Sequence, residues 1–115
     1  MSKNYTEITS DLISQMKQLG GEVPEVMTAF QNLAKEATKD GALDKKTKEY
    51  IALAIGVAKH CDGCVGFHAK ALANLGASRD EVSEVLGMSI YMGGGPSLMY
   101  AAEALAAFDA FKAKL

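Results

Sequence analysis

Between Lys59 and Leu72 the chain reads KHCDGCVGFHAKAL, and this short stretch holds both of its cysteines and both of its histidines. Cys61 and Cys64 are three residues apart, and His68 follows Cys64 by four. A cysteine acts as nucleophile or metal ligand through its thiolate, and a neighbouring histidine can take the thiol proton or stabilise the anion. If a helix begins near Cys61, residues spaced three and four apart share a face, so Cys61, Cys64 and His68 form one stripe. Cys61 then sits at the helix start, where unpaired N–H groups favour a thiolate. Cys64 lies one turn deeper, with His68 as its i+4 neighbour. The spacing permits a Cys61–Cys64 disulfide.

Glu49 is the third element. It is the sole carboxylate between Asp44 and Asp62 and heads the apolar run EYIALAIGVA. At helical spacing it shares a face with Ala52, Leu53 and Gly56. An acid projecting from such a helix into a partly dry pocket can exchange protons with His68 or with water. The plainer reading leaves it solvated on a helix surface beside Lys45, Lys46 and Lys48.

Two other uses of the cysteines compete with redox chemistry. Zinc accepts two cysteines and two histidines. A structural zinc site, however, usually draws its second ligand pair from a separate segment, and no such pair exists here. His60, next to Cys61, is expected to point off the stripe. A purely structural disulfide closing so small a loop gains little from chain entropy. The pattern therefore favours thiol redox chemistry, with no metal and no cofactor; no haem or flavin motif is evident.

These residues need helices to position them, and the chain supplies about six. Ile8, Leu12, Ile13, Met16 and Leu19 recur at spacings of three and four, and the glycines at 20–21 are expected to end that segment. Pro24 suits the first turn of a second helix, with Val26, Met27, Phe30, Leu33, Ala34 and Ala37 on its apolar face. Asp44 is a natural N-cap for a third helix over Lys45–Ala58. A fourth runs from near Asp62 to Leu75, stopped by Gly76. SRDE at 78–81 has the capping-box form and opens a fifth. Gly93, Gly94 and Gly95 form a tight corner rather than a phosphate loop, because no strand precedes them and no Gly-Lys-Ser/Thr ending follows. Pro96 starts an alanine-rich sixth helix that runs nearly to Leu115. Met88, Met92 and Met99 are expected in the core. The fold class is all-α, a compact single-domain helical bundle spanning residues 1–115.

Composition bounds the function from the other side. The chain has 115 residues, 49% hydrophobic and 23% charged, with a net charge of −2, so an electrostatic grip on nucleic acid or anionic lipid is not expected. Only 7% is aromatic and there is no tryptophan, which argues against base-stacking platforms. The N-terminus, MSKNYTEITSDLISQMKQL, lacks the form of a secretory signal, and YIALAIGVA is too short to span a bilayer. A cytoplasmic protein is expected, where a CxxC pair serves catalysis or metal binding more than stapling.

The constellation Glu49, Cys61, Cys64, His68 has the form E-x11-C-x2-C-x3-H, and the segment FHAKALANLGASRDEVSEVLGMSIYMGGGPSLMYAAEALAAF follows it. Together they resemble the alkylhydroperoxidase AhpD-like branch of the carboxymuconolactone decarboxylase family, over roughly residues 20–112. The resemblance implies an all-α fold assembled as a homo-oligomer, often trimeric or hexameric. It implies peroxide reduction through a dithiol–disulfide cycle, with a lipoyl-type or thioredoxin-like dithiol as reductant. It assigns Cys64 as the cysteine that attacks the peroxide, Cys61 as the resolving cysteine, and Glu49 and His68 as the proton relay. The helix dipole alone would favour Cys61 as the thiolate; the i+4 histidine supports Cys64. One departure stands out: the best-known antioxidant members carry a histidine just before the second cysteine, where this chain has Gly63.

Three functions follow as alternatives. The first is a thiol-dependent peroxidase. The second is a general disulfide reductase or redox-sensing module. The third is the lactone decarboxylation that names the wider family, which does not rely on a CxxC pair.

Overall fold

The computed structural model describes residues 3–115, and among them there are six helices and no strand. They are α1 (Tyr5–Glu22), α2 (Pro24–Thr38), α3 (Lys45–Ala58), α4 (Asp62–Asn74), α5 (Arg79–Gly93) and α6 (Gly95–Lys112). The all-α expectation holds, and most helix starts have a visible chemical cause. Asn4 caps α1 by accepting the N–H groups of Thr6 and Glu7. Asp44 accepts the Thr47 N–H at 2.8 Å and caps α3. Ser78 and Glu81 form the capping box of α5. Pro24 is the first residue of α2, where its missing N–H costs nothing.

One boundary differs from expectation. The glycines at 20 and 21 do not stop α1, which continues to Glu22 and turns into α2 through Val23 alone. Gly20 serves close packing instead: a β-carbon there would stand 3.2 Å from Met27 Cγ on α2. The true stop is Pro24, which disfavours helical angles at the residue before it.

Helix α4 lies at the centre and packs against α1, α3 and α6, while α5 closes the far side against α3 and α6. The core is built from Leu53 and Val57 on α3, Val65, Ala69 and Leu72 on α4, Val82 and Leu86 on α5, and Ala104 and Phe108 on α6. The small residues of α6 are spent here. Ala101, Ala104 and Ala107 are buried within the chain's own bundle, so the alanine stripe is an internal packing face. Met88, Met92 and Met99, expected inside, are instead exposed. Their helices already bury a different face, through Val82, Leu86 and Ser89 on α5 and Ala101 and Ala104 on α6. Among the described residues, no helix is long and apolar enough to cross a membrane.

Candidate active site

The α3–α4 junction brings the four sequence-predicted residues into one region. α3 ends at Ala58 with Lys59 as its C-cap, and Cys61 is already the N-cap of α4. Cys61 and Cys64 are joined as a disulfide, with Cα atoms 5.2 Å apart. The Cys61 sulfur also accepts the Cys64 N–H at 3.2 Å, so it serves as the capping acceptor that Ser or Asp supplies in other helices.

Glu49 does not lie on the solvated surface. It is 6% exposed, and its Oε2 is 2.6 Å from Nδ1 of His68 across the α3–α4 contact. With Nδ1–H donating to the carboxylate, the imidazole keeps Nε2 as its free acceptor, which fixes both ring orientation and tautomer. The His68 side chain remains 31% exposed. The pair thus joins a buried acid to a base with access to solvent, one turn beyond Cys64. His60 leaves the stripe, as expected, and stacks on Tyr100 with ring centroids 5.0 Å apart. Among the described residues, no three His, Cys, Asp or Glu side chains gather in a group able to hold a metal ion.

Three glycines explain how the elements come so close. A β-carbon at Gly56 would stand 2.8 Å from Cys64 Cβ, so α3 meets the cysteine helix directly. A β-carbon at Gly66 would stand 2.6 Å from Thr9 Cγ2, and one at Gly63 would stand 2.9 Å from Leu12 Cδ1. Gly63 and Gly66, three apart on one face of α4, therefore form the groove in which α1 lies. At residue 63, where the resemblance leads one to expect a histidine, the glycine lets the Leu12 side chain of α1 lie directly against α4. Sequence reasoning named Gly56 and Gly63 but gave none of the three glycines a packing role. Their signal was available, since each interior glycine costs a helix about 1 kcal/mol relative to alanine and so needs a packing reason.

The six-helix arrangement around this junction is an AhpD-like fold. The chain belongs to the carboxymuconolactone decarboxylase family, whose profile matches residues 24–107. It is 46% identical over 104 residues to an uncharacterized protein of Cupriavidus necator, covering 90% of this chain and 92% of that one. The apo crystal structure of a carboxymuconolactone decarboxylase family protein from Legionella pneumophila superposes with a TM-score of 0.93 at 58% identity, covering 96% of this chain and 99% of that one. A family protein from Thermotoga maritima, suggested to take part in an antioxidative response, gives a TM-score of 0.78 at 24% identity, over 90% of this chain and 91% of that one. At that identity the likeness is one of fold alone.

Proposed function

We propose that the protein is a cytoplasmic thiol-dependent peroxidase that reduces hydroperoxides through a Cys61–Cys64 dithiol–disulfide cycle. The observation that supports this most is the juxtaposition on one helix: a cysteine pair at bonding distance, with a histidine one turn beyond it oriented by a buried glutamate. His68 takes the Cys64 proton through Nε2, directly or by way of water, while Glu49 holds the ring and stabilises the imidazolium that forms. The Cys64 thiolate attacks the outer peroxide oxygen. An S–O bond forms, the O–O bond breaks, and the alcohol leaves with a proton returned from the relay, so Cys64 becomes a sulfenic acid. The Cys61 thiolate then attacks the Cys64 sulfur; an S–S bond forms, the S–O bond breaks, and the hydroxide leaves as water with the proton given up by the Cys61 thiol. A dithiol of lipoyl or thioredoxin type resets the pair by exchange, giving up two electrons and two protons.

The working unit under this reading is a homo-oligomer of the single domain. What supports it is α2, which buries none of its residues and presents Val26, Phe30 and Leu33 outward. Beside it, a groove of about 560 Å³ between α1 and α2 is lined by Ile13, Met16, Met27 and Phe30. Exposed apolar area of this kind marks interaction surfaces.

A steady-state assay with several hydroperoxides and a dihydrolipoyl donor tests the function. Turnover that disappears in Cys64→Ser, together with a Cys61–Cys64 disulfide in non-reduced digests after one equivalent of peroxide, is the expected result. Oxidation of the dithiol at one rate with or without peroxide would favour the general disulfide reductase. Consumption of a lactone by a double Cys→Ser variant would favour the decarboxylase.

A further inference from the structure

His60 is the one residue other than glycine, among those described, with a left-handed backbone, at φ 55°. Its place in the turn explains the angle. The His60 N–H donates to the Val57 carbonyl, and the Cys61 N–H donates to the Gly56 carbonyl at 3.0 Å. This is the paired bonding of a Schellman helix end, in which the left-handed position is normally glycine. The same protein builds the motif again at the end of α4. There Gly76, at φ 75°, bonds to Ala73, and Ala77 bonds to Leu72. Glycine fills the position where an ordinary alanine follows, and histidine fills it where Cys61 follows.

What histidine adds over glycine is a ring, and that ring is in use. It lies nearly parallel to Tyr100, 12° between planes, on helix α6. Tyr100 is itself a fixed platform: it packs against the core, and the Lys3 ammonium sits 4.6 Å from its ring centre. Lys3 in turn bridges Asp62, the residue after Cys61, and Glu103 on α6, at 3.0 Å each. Cys61 is therefore flanked on both sides by residues tied to α6.

We propose that His60 is a positioning residue for Cys61, its stack on Tyr100 holding the cysteine at the N-cap of α4 ready to close on Cys64. The consequence is thermodynamic. In the disulfide, Cys61 is held by its covalent bond whatever residue 60 does. In the dithiol, the stack adds to the turn's two backbone hydrogen bonds and the Lys3–Asp62 bridge in keeping Cys61 at the cap. Removing it gives the dithiol form freedom that the disulfide form lacks, and the equilibrium moves toward the dithiol. The inference deepens the cycle proposed above, since it assigns a role to the surroundings of the resolving cysteine. It stands apart from peroxide chemistry because ring closure can be measured without peroxide.

The experiment is equilibration of the full chain with dithiothreitol in its reduced and oxidised forms, read by mass spectrometry after acid quench and alkylation. In the exchange the reagent loses two electrons and two protons and forms its own ring, and the Cys61–Cys64 bond breaks to two thiols. His60→Gly supplies the residue that the left-handed turn prefers and removes the ring together with the β-carbon, while Tyr100→Leu removes the stack and leaves residue 60 unchanged. It is expected to shift the equilibrium about two- to tenfold toward the dithiol, the range of one aromatic stack. Tyr100→Leu should shift it similarly, the double variant no further than either single one, and Tyr100→Phe should match the parent. Circular dichroism of the oxidised variants checks that the helices persist. A purely architectural histidine predicts no shift in His60→Gly, and that result would overturn the proposal. A shift in His60→Gly with none in Tyr100→Leu would overturn the stack as its cause. If the protein turns over no peroxide and the two shifts still appear, the peroxidase reading fails and this inference stands.

Discussion

Gly56 on α3 and Cys64 on α4 face each other so closely that a β-carbon on the glycine would stand 2.8 Å from that of the cysteine. The contact sets the spacing between the helix that carries Glu49 and the helix that carries Cys64 and His68. It also makes Gly56 a test of how tightly the site is built. Real β-carbons do not approach so near, so Gly56→Ala must move α3 off α4. The expected loss is about 1–3 kcal/mol, the usual penalty for forcing a methyl group into a packed contact. Gly87 provides the control. It lies within α5 with no neighbouring atom within 4 Å of an added β-carbon. Gly87→Ala is expected to gain up to about 1 kcal/mol, because alanine loses less freedom on entering a helix. Urea melts of the two variants should move in opposite directions; equal shifts would show that the Gly56 contact is not specific.

The exposed face of α2 makes a second prediction. Val26, Phe30 and Leu33 are 66%, 64% and 63% exposed, at the helical spacing of one stripe. A second copy of the chain covering that stripe should make light scattering report a mass well above 12.2 kDa. Phe30→Glu combined with Leu33→Glu places charge in the contact and should return the protein to monomer size with its helicity unchanged. A parent that already scatters as a monomer at micromolar concentration would remove the proposal.

How far the sequence carried the fold follows from where its signals are local. Helix starts at Asn4, Asp44 and Ser78 depend on side chains bonding to N–H groups two or three residues on, so the local sequence alone reveals Asp44 and Ser78 as caps. The stripe of Cys61, Cys64 and His68 is equally local. Which apolar face of a helix the bundle covers is not local. Met88 and Met92 recur as regularly as Val82 and Leu86, yet only the second pair is buried in the bundle. The surface or buried state of Glu49 was open for the same reason. It depends on His68, nineteen residues away, arriving on the facing helix. The alanines of α6 allow close approach, but nothing in their spacing says whether the partner is α4 or another subunit.

Two tyrosines give the protein an alkaline limit. Burial, reinforced by a hydrogen bond to Glu103, pushes the Tyr5 phenol well above its ordinary value. Burial and a bond to Glu81 at 2.9 Å do the same for Tyr50. The folded chain therefore keeps these protons to higher pH than the unfolded chain, whose phenols ionise near about pH 10. Their contribution is whole below that pH. It declines as pH rises further, because the unfolded state then binds fewer protons than the folded one. Tyr5→Phe and Tyr50→Phe should each flatten the fall in melting temperature above about pH 10. The double variant should flatten it most. Identical alkaline slopes in parent and double variant would show that these phenols are not coupled to folding.

The last prediction concerns the proton relay. A free thiol is only partly ionised near neutrality, and the proposed cycle makes the Cys64 thiolate the form that attacks peroxide. His68 can accept the proton because Glu49 occupies Nδ1 at 2.6 Å and leaves Nε2 free. Glu49→Gln preserves shape and removes the charge that orients the ring and stabilises the imidazolium. It is expected to slow reaction with peroxide at neutral pH by about ten- to a thousandfold, the range for a lost acid–base or orienting group. His68→Gln should lose a similar factor. The double variant should lose far less than the product of the two, because groups that act as one unit are not additive. Raising the pH should partly restore each variant, since solvent then ionises Cys64 without help from His68. Stopped-flow thiol oxidation from pH 6 to pH 9 separates this from a structural effect. A relay defect shrinks as pH rises, whereas a distorted site stays slow throughout. If Glu49→Gln matches the parent at every pH, the carboxylate positions the α3–α4 packing and takes no part in moving the proton.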